Sequence, residues 1–379
     1  MNFSLTEEQK MLRATVRDFA RRELEPVAAE IDESEVFPAQ LVAKMAHLGL
    51  MGLTIPEKYS GSGQGKTEFC LAVEELSRAS ASVAAIFRIS LSLAIHPIIV
   101  FGTGEQKERF LPAHARGDQL ACFALTEAAA GSDPAALETT ARRLGGDYVL
   151  NGSKLFVSLG AEAKIAVVLA TVDRALRHRG LTAFIVEKGT PGFSVGKHER
   201  KLGLHGVSAV ELIFEDCLVP KQNRLGKEGQ GFKIALEALD ASRITVAAEA
   251  VGISQAAFEA ALKYAKERHQ FGRPIASFQA IQWLLADMAT QIEAARLLTY
   301  YAAYLEDNNL PFIKEAAMAK LFASEVSRMV TNNALQIHGG YGYTRDYPVE
   351  RYLRDARLTE IYEGTSEVMR LTIAKSLIR

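Results

Sequence analysis

The sequence predicts a mainly helical α+β chain in three parts: a helical domain over 1–120, a small antiparallel β domain over 121–225, and a second helical domain over 226–379. Three observations carry this reading. In the first part apolar residues such as Leu12, Val16, Phe19 and Ala20 recur at helical spacing, which gathers them on one face. From about 121 to 225 the spacing shortens to that of strands, in brief runs of branched side chains set between turn residues. After Gly226, Gly229 and Gly231 the helical spacing returns and holds through about 338.

The elements follow in order. Pro26, Pro38, Pro56, Pro97 and Pro112 divide the first part into several helices, because proline lacks the N–H that a helix interior needs. Strands are expected at Ala121–Leu125, Tyr148–Leu150, Lys154–Leu159, Ile165–Val172, Thr182–Val186 and Ala209–Phe214, with tight turns at Gly145-Gly146 and Asn151-Gly152. Gly339-Gly340-Tyr341-Gly342 breaks the later helices. The last helix opens after Thr365-Ser366 and carries Val368, Leu371, Ala374 and Ile378 on one face.

Composition excludes several function classes. The 379 residues hold 44 basic and 45 acidic side chains, a formal net charge of −1, so no global field attracts nucleic acid. Cys70, Cys122 and Cys217 lie far apart with no CxxC pair, which points to neither a disulfide framework nor a cysteine metal site. His96, His205 and His338 are isolated, so no metal is expected. Neither a signal-peptide pattern nor an apolar run of the roughly 18 residues a membrane span requires is read. The expected setting is the cytoplasm, or an organelle after maturation. Ser60-Gly-Ser-Gly-Gln-Gly-Lys-Thr67 imitates a phosphate-binding loop, but serine replaces the first glycine and no buried strand precedes it. A GxGxxG dinucleotide motif after a strand is also missing.

Glu363 is the candidate for acid–base chemistry. It lies in Ile361-Tyr-Glu-Gly-Thr-Ser-Glu367, where apolar neighbours can dry a carboxylate and Gly364 permits close approach of a ligand. The competing role is a solvated glutamate ahead of a helix cap formed by Thr365 and Ser366.

Five segments resolve the choice together: Phe123-Ala-Leu-Thr-Glu-Ala-Ala-Ala-Gly-Ser-Asp133, Leu239-Asp-Ala-Ser-Arg243, Glu267-Arg-His-Gln-Phe-Gly-Arg-Pro274, Gln336-Ile-His-Gly-Gly-Tyr-Gly342 and Ile361–Glu367. In this order they resemble the signatures of the acyl-CoA dehydrogenase family, and the resemblance covers essentially the whole chain. It implies a C-terminal four-helix bundle, one FAD per subunit, a homotetramer, an acyl-CoA substrate of the fatty-acid β-oxidation type and electron transfer to an electron-transfer flavoprotein.

By the same resemblance, Phe123, Leu125, Thr126 and Ser132 contact the isoalloxazine. Phe156 and Ser158 stand where the family usually has Trp and Thr. Arg268, Phe271, Gln279, Gln336, Gly339 and Gly340 reach the FAD of a neighbouring subunit, and Thr365 and Glu367 complete the site. For the substrate, Ser132, Asp240, Arg243 and Gly364 are implied. Arg268 as a solvated charge, and Asp240 with Arg243 as a plain i, i+3 ion pair, are the structural alternatives.

Glu363 is the implied base that removes the α-proton while a β-hydride passes to flavin N5. Some relatives carry the carboxylate at the position of Ser242, where serine cannot serve. Ala84, Ala85, Ile86 and Ile89 match acyl-pocket positions and suggest an uncharged acyl group; Ala84-Ala85 replace the Arg-Ser pair of the glutaryl-CoA branch, so a carboxylate-bearing glutaryl substrate is not expected. Thr171–Leu176, Pro311–Leu321 and Glu360–Glu367 resemble the short-chain, butyryl-CoA branch. Arg88 is expected to be solvated or bonded to backbone, with an inward-turned side chain as the alternative. An oxygen-using oxidase and a catalytically silent thioester-binding scaffold are the alternative functions.

Overall fold

The computed structural model describes residues 4–378. The N-terminal part begins with helix Glu7–Phe19, started by a reciprocal cap in which the Thr6 hydroxyl accepts from the Gln9 N–H and the Gln9 side chain accepts from the Thr6 N–H. Its buried stripe, Val16 and Phe19, faces helix Lys66–Ala79, which packs in turn on the 37-residue helix Gly231–Glu267. The start of Lys66–Ala79 shows why the glycine-rich loop is no phosphate cradle. Asp307 accepts from the Thr67 N–H at 2.9 Å, and the Lys66 ammonium is committed to the Ala241 carbonyl and Glu306. Protein groups already fill the place of an anion.

One expectation fails in the next stretch. Residues Ala81–Phe101 are helical throughout and reach a mean hydropathy of 2.0, so by length and composition they could span a membrane. In this fold 83% of the apolar window is buried inside the protein, which makes it a core helix. Its turns widen over Ser90–Ile95 into a π-type segment, a feature that recurs near functional sites. There the Ser90 hydroxyl accepts from the Ala121 N–H at 3.1 Å, tying the helix to the first strand.

The middle part is one sheet of β1 (Ala121–Ala124), β2 (Thr140–Leu144), β3 (Asp147–Ser158), β4 (Ile165–Thr171), β5 (Leu181–Glu187), β6 (Phe193–His198), β7 (Ala209–Val219) and β8 (Arg224–Leu225). Its order is β6-β7-β3-β2-β4-β5-β8, with β1 added beside β4. The sheet is mixed rather than purely antiparallel. β1 and β4 run parallel, and β2 touches β4 in the same sense, because the β2–β3 hairpin returns the chain to its starting edge before β4 begins. Asn151-Gly152 is not a turn either. It lies inside the continuous strand β3 at a register shift, and Gly152 (φ 141°) is required because a Cβ there would meet Thr139 Oγ1 at 2.7 Å. Strands β2 and β6 escape sequence reading since both are largely exposed and polar.

In the C-terminal part, Gly231–Glu267, Gln279–Asp307 and Ile313–His338 pack on one another, and Val349–Leu358 and Ser366–Ile378 lean on Ile313–His338. The expected apolar face of the final helix stays open: Leu371 is 58% and Ile378 85% exposed, while Met369 is buried. The hydrophobic core runs through all three parts.

Candidate active site

The turn that ends Val349–Leu358 fixes the position of Glu363. The Ile361 and Tyr362 N–H groups both donate to the Leu358 carbonyl, and then Glu363 (φ 55°) and Gly364 (φ 101°) adopt left-handed conformations in succession. Such a pair reverses the chain sharply, and for glutamate the conformation is strained, so tertiary contacts must hold it. Thr365 caps the following helix, its hydroxyl accepting from the Val368 N–H at 3.3 Å. The helix-cap expectation is therefore correct for Thr365, whereas the solvated glutamate is not: the Glu363 side chain is 5% exposed.

What surrounds that carboxylate is the principal finding. Arg88 Nη1 donates to Glu363 Oε1 at 2.5 Å, and the Ser242 hydroxyl donates to Oε2. Arg88 Nε donates to Glu249 at 2.9 Å, the Tyr362 hydroxyl donates to the same Glu249 oxygen, and the Arg88 guanidinium lies 4.9 Å from the Tyr362 ring centre. Arg88 and Glu249 are both fully buried. The expectation of a solvated or backbone-bonded Arg88 is thus overturned. Helix Ala81–Ile89 presses its Arg88 side against Gly231–Glu267, where no water reaches, and a buried guanidinium must find carboxylates. Burial raises the Glu249 carboxyl above its usual range, against the pull of Arg88, and the two carboxylates raise Arg88 against its own desolvation.

Gly364 is held from below. Lys320, fully buried in Ile313–His338, donates from Nζ to the Gly364 carbonyl at 2.6 Å. Arg243 Nη2 stands 3.7 Å from where a Gly364 side chain would begin, and Arg243 is ion-paired with Asp240. So the structure brings Glu363, Gly364, Asp240 and Arg243 together.

Burial lowers Lys320 from 10.5 to about 8, opposed by Glu363. Between those values the unfolded chain holds the proton more tightly, so this group's contribution to stability rises with pH, at most by ~1.4 kcal/mol per unit. In urea unfolding, the stability of the native protein relative to Lys320→Met should accordingly increase from pH 7.5 to 9.5; an unchanged difference would refute the shift.

The remaining predicted residues form two groups, and no hydrogen bond or ion pair among the described residues joins them. On the sheet, Phe123 is half-buried, Leu125 is buried and Ser132 exposed, while the Thr126 carbonyl accepts from Leu155 N–H at 2.8 Å. Phe156 (φ 55°) is 61% exposed, and Ser158 closes the same strand. Beneath this loop lies a pair the sequence reading missed: fully buried Lys154 donates to Glu127 at 2.6 Å and to the Leu125 carbonyl at 3.2 Å. On the helical side, Arg268, Gly339 and Gly340 line a cavity of about 520 Å³ with Gln270, His338 and Tyr341. Gln336 is exposed one turn before these glycines, Gln279 starts its helix, and Phe271 projects at 91% exposure. Thr365 and Glu367 remain beside the Glu363 turn.

Comparison with known proteins decides the family. The acyl-CoA dehydrogenase N-terminal, middle and C-terminal domain models match residues 6–118, 122–217 and 229–378. The chain is an acyl-CoA dehydrogenase family member. It is 54% identical over 381 residues to acryloyl-CoA reductase (NADH) of Anaerotignum propionicum, covering 100% of this chain and 96% of that protein. To the mitochondrial short-chain specific acyl-CoA dehydrogenase of Homo sapiens it is 50% identical, covering 99% and 91%. The butyryl-CoA dehydrogenase structure from Megasphaera elsdenii superposes with a TM-score of 0.98 at 45% identity, with full coverage of both chains. Acyl-CoA dehydrogenase family members are FAD flavoproteins.

The residues present here fit that group. A large aromatic face stands open at Phe156, and the cavity beside Arg268 offers a cation next to Gly339 and Gly340, where an added Cβ would meet nothing within 4 Å.

Proposed function

We propose that this acyl-CoA dehydrogenase removes the α-proton of a short acyl-CoA with Glu363, giving a trans-2-enoyl-CoA. When bound, the flavin supplies the acceptor for the β-hydride. The observation that carries the assignment is the strained, buried placement of the Glu363 carboxylate at the turn before Gly364. Ser242, which donates to that carboxylate, cannot itself act as base. Gly364 and Ser132 would border the pantetheine arm, and Asp240 with Arg243 would meet CoA.

Phe123, Leu125, Thr126, Phe156 and Ser158 would hold the isoalloxazine, with Phe156 as its stacking face. Arg268, Phe271, Gln279, Gln336, Gly339 and Gly340 would bind the dinucleotide of a neighbouring subunit, and Thr365 with Glu367 would close the site. This arrangement requires an oligomer, here a homotetramer. Trp283 (61%), Tyr304 (55%) and Leu371 (58%) are exposed on the C-terminal helices, and such an assembly would cover side chains of this kind. The electron acceptor in this reading is an electron-transfer flavoprotein, and the setting is the cytoplasm or the matrix of an organelle. The domain limits at about 120 and 225 belong to the same proposal.

Anaerobic addition of butyryl-CoA to the yellow protein is expected to bleach the oxidised flavin band, and no bleaching by any acyl-CoA would refute dehydrogenation. Rapid peroxide formation in air would instead favour an oxidase. Arg268→Ala is expected to weaken FAD retention by about tenfold, the worth of one charge-assisted contact, as read by flavin release on dilution. Unaltered release would remove Arg268 from the cofactor site.

A further inference from the structure

We propose that Arg88 determines specificity, and that the preferred substrate is a short acyl-CoA whose acyl group itself ends in a carboxylate. The inference rests on Glu363 as the base and deepens that reading.

A guanidinium offers five N–H donors in a fixed fork. Arg88 spends Nε on Glu249 and Nη1 on Glu363 and, more distantly, on Ser242 at 3.4 Å, but its Nη2 has no partner among the described residues although the side chain is fully buried. A buried cationic donor without an acceptor is costly and demands a reason. Of the other cations near the turn, Lys320 donates to the Gly364 carbonyl and Arg243 pairs with Asp240 with only its Nε left unpartnered among the described residues, and Glu249 Oε1 is unpartnered likewise. Around Arg88, Ala84 and Ala85 are small and wholly buried, and Ile89 is nearly so, so the flank of the guanidinium is apolar.

The contact between Arg88 and the base suggests the place of an anion. Arg88 Nη1 is 2.5 Å from the carboxylate that must reach the substrate Cα, so an acyl chain presenting Cα to Glu363 begins beside the guanidinium. A carboxylate two or three carbons beyond Cα, as in a four- or five-carbon dicarboxylic monothioester, would face the unpaired Nη2 and form the bidentate pair for which arginine is shaped. It would also compete with Glu363 for Nη1 and release the base from its ion pair. A neutral acyl chain offers no such exchange and leaves Glu363 bound. The chemistry is unchanged: the Cα proton passes to Glu363, the Cβ hydrogen leaves with its electron pair to the bound flavin, the C=C bond forms, and the terminal carboxylate stays intact.

The test uses holoenzyme and compares kcat/KM for butyryl-CoA with that for succinyl-CoA and glutaryl-CoA, alongside calorimetric binding of crotonyl-CoA and fumaryl-CoA to the oxidised protein. The native enzyme is expected to favour a carboxylated substrate by at least about 100-fold and to bind fumaryl-CoA correspondingly tighter. In Arg88→Gln the loss on the carboxylated substrate should exceed that on butyryl-CoA by at least about 50-fold, mainly through KM, and Arg88→Lys should recover part of it. A native preference for butyryl-CoA would overturn the proposal, and so would a parallel loss on both substrates in a folded, yellow Arg88→Gln. Either result would make Arg88 a structural counter-ion. The native preference needs no variant, so misfolding cannot obscure it. Failure of every acyl-CoA to bleach the flavin would refute the dehydrogenase reading instead.

Discussion

Glu363→Gln is expected to leave a yellow, CoA-binding protein whose anaerobic flavin reduction by acyl-CoA is slowed about 10²- to 10⁴-fold, the range set by removing a general base. Glutamine keeps the size of the side chain, its oxygen can accept from Arg88 Nη1 and its amide N–H can donate to the Ser242 hydroxyl, so the left-handed turn at residues 363 and 364 has reason to persist. What it loses is the capacity to take a proton from Cα. The variant therefore separates binding from chemistry. Unaltered flavin absorbance and unaltered enoyl-CoA affinity, with reduction nearly abolished, is the expected pattern in stopped-flow traces. If most of the reduction rate survives, the base is another group, and buried Glu249, two bonds of the same network away, becomes the next residue to replace.

The second large effect is expected at a residue that has no assigned substrate contact of its own. Lys154 is fully buried with its ammonium 2.6 Å from Glu127, whose oxygens also accept from the N–H groups of Glu138 and Thr139. This single carboxylate pins both ends of the loop from Leu125 to Thr139, which includes Leu125 and Thr126 of the residues assigned to the isoalloxazine. Lys154→Met leaves Glu127 charged and dry, at a cost of about 3–5 kcal/mol, because breaking one side of a buried pair strands the other. The urea midpoint should fall and FAD should dissociate faster, whereas a substitution at exposed Phe156 should affect FAD without moving the midpoint of the cofactor-free protein. The double change Lys154→Met with Glu127→Leu should restore much of the stability, since an apolar pair removes the stranded charge. A single variant with native stability would show that the pair carries no such load.

Much of this protein was legible in the residues alone. Helical spacing at Leu12, Val16, Phe19 and Ala20 correctly marked a buried face, and branched runs marked β4 and β5, because both depend on periods that a chain of any fold must obey. The order of the five motifs named the family, and with it the cofactor. The isolated charges were equally visible: Arg88 in Ala-Ile-Phe-Arg-Ile-Ser, Glu249 in Ala-Ala-Glu-Ala-Val and Lys320 in Met-Ala-Lys-Leu each interrupt an apolar run. Their partners were not. Arg88 and Glu363 are 275 residues apart, and nothing local distinguishes an inward arginine from one that reaches solvent. Ala81–Phe101 has the composition of a membrane span and the environment of a core, and only the layers packed around it decide between them. Spacing thus determined most of the elements, and the resemblance of the ordered motifs indicated the family. Tertiary structure alone decided which charges meet in a dry pocket, because the desolvation that forces a buried cation to seek an anion exists only after distant helices have closed around it.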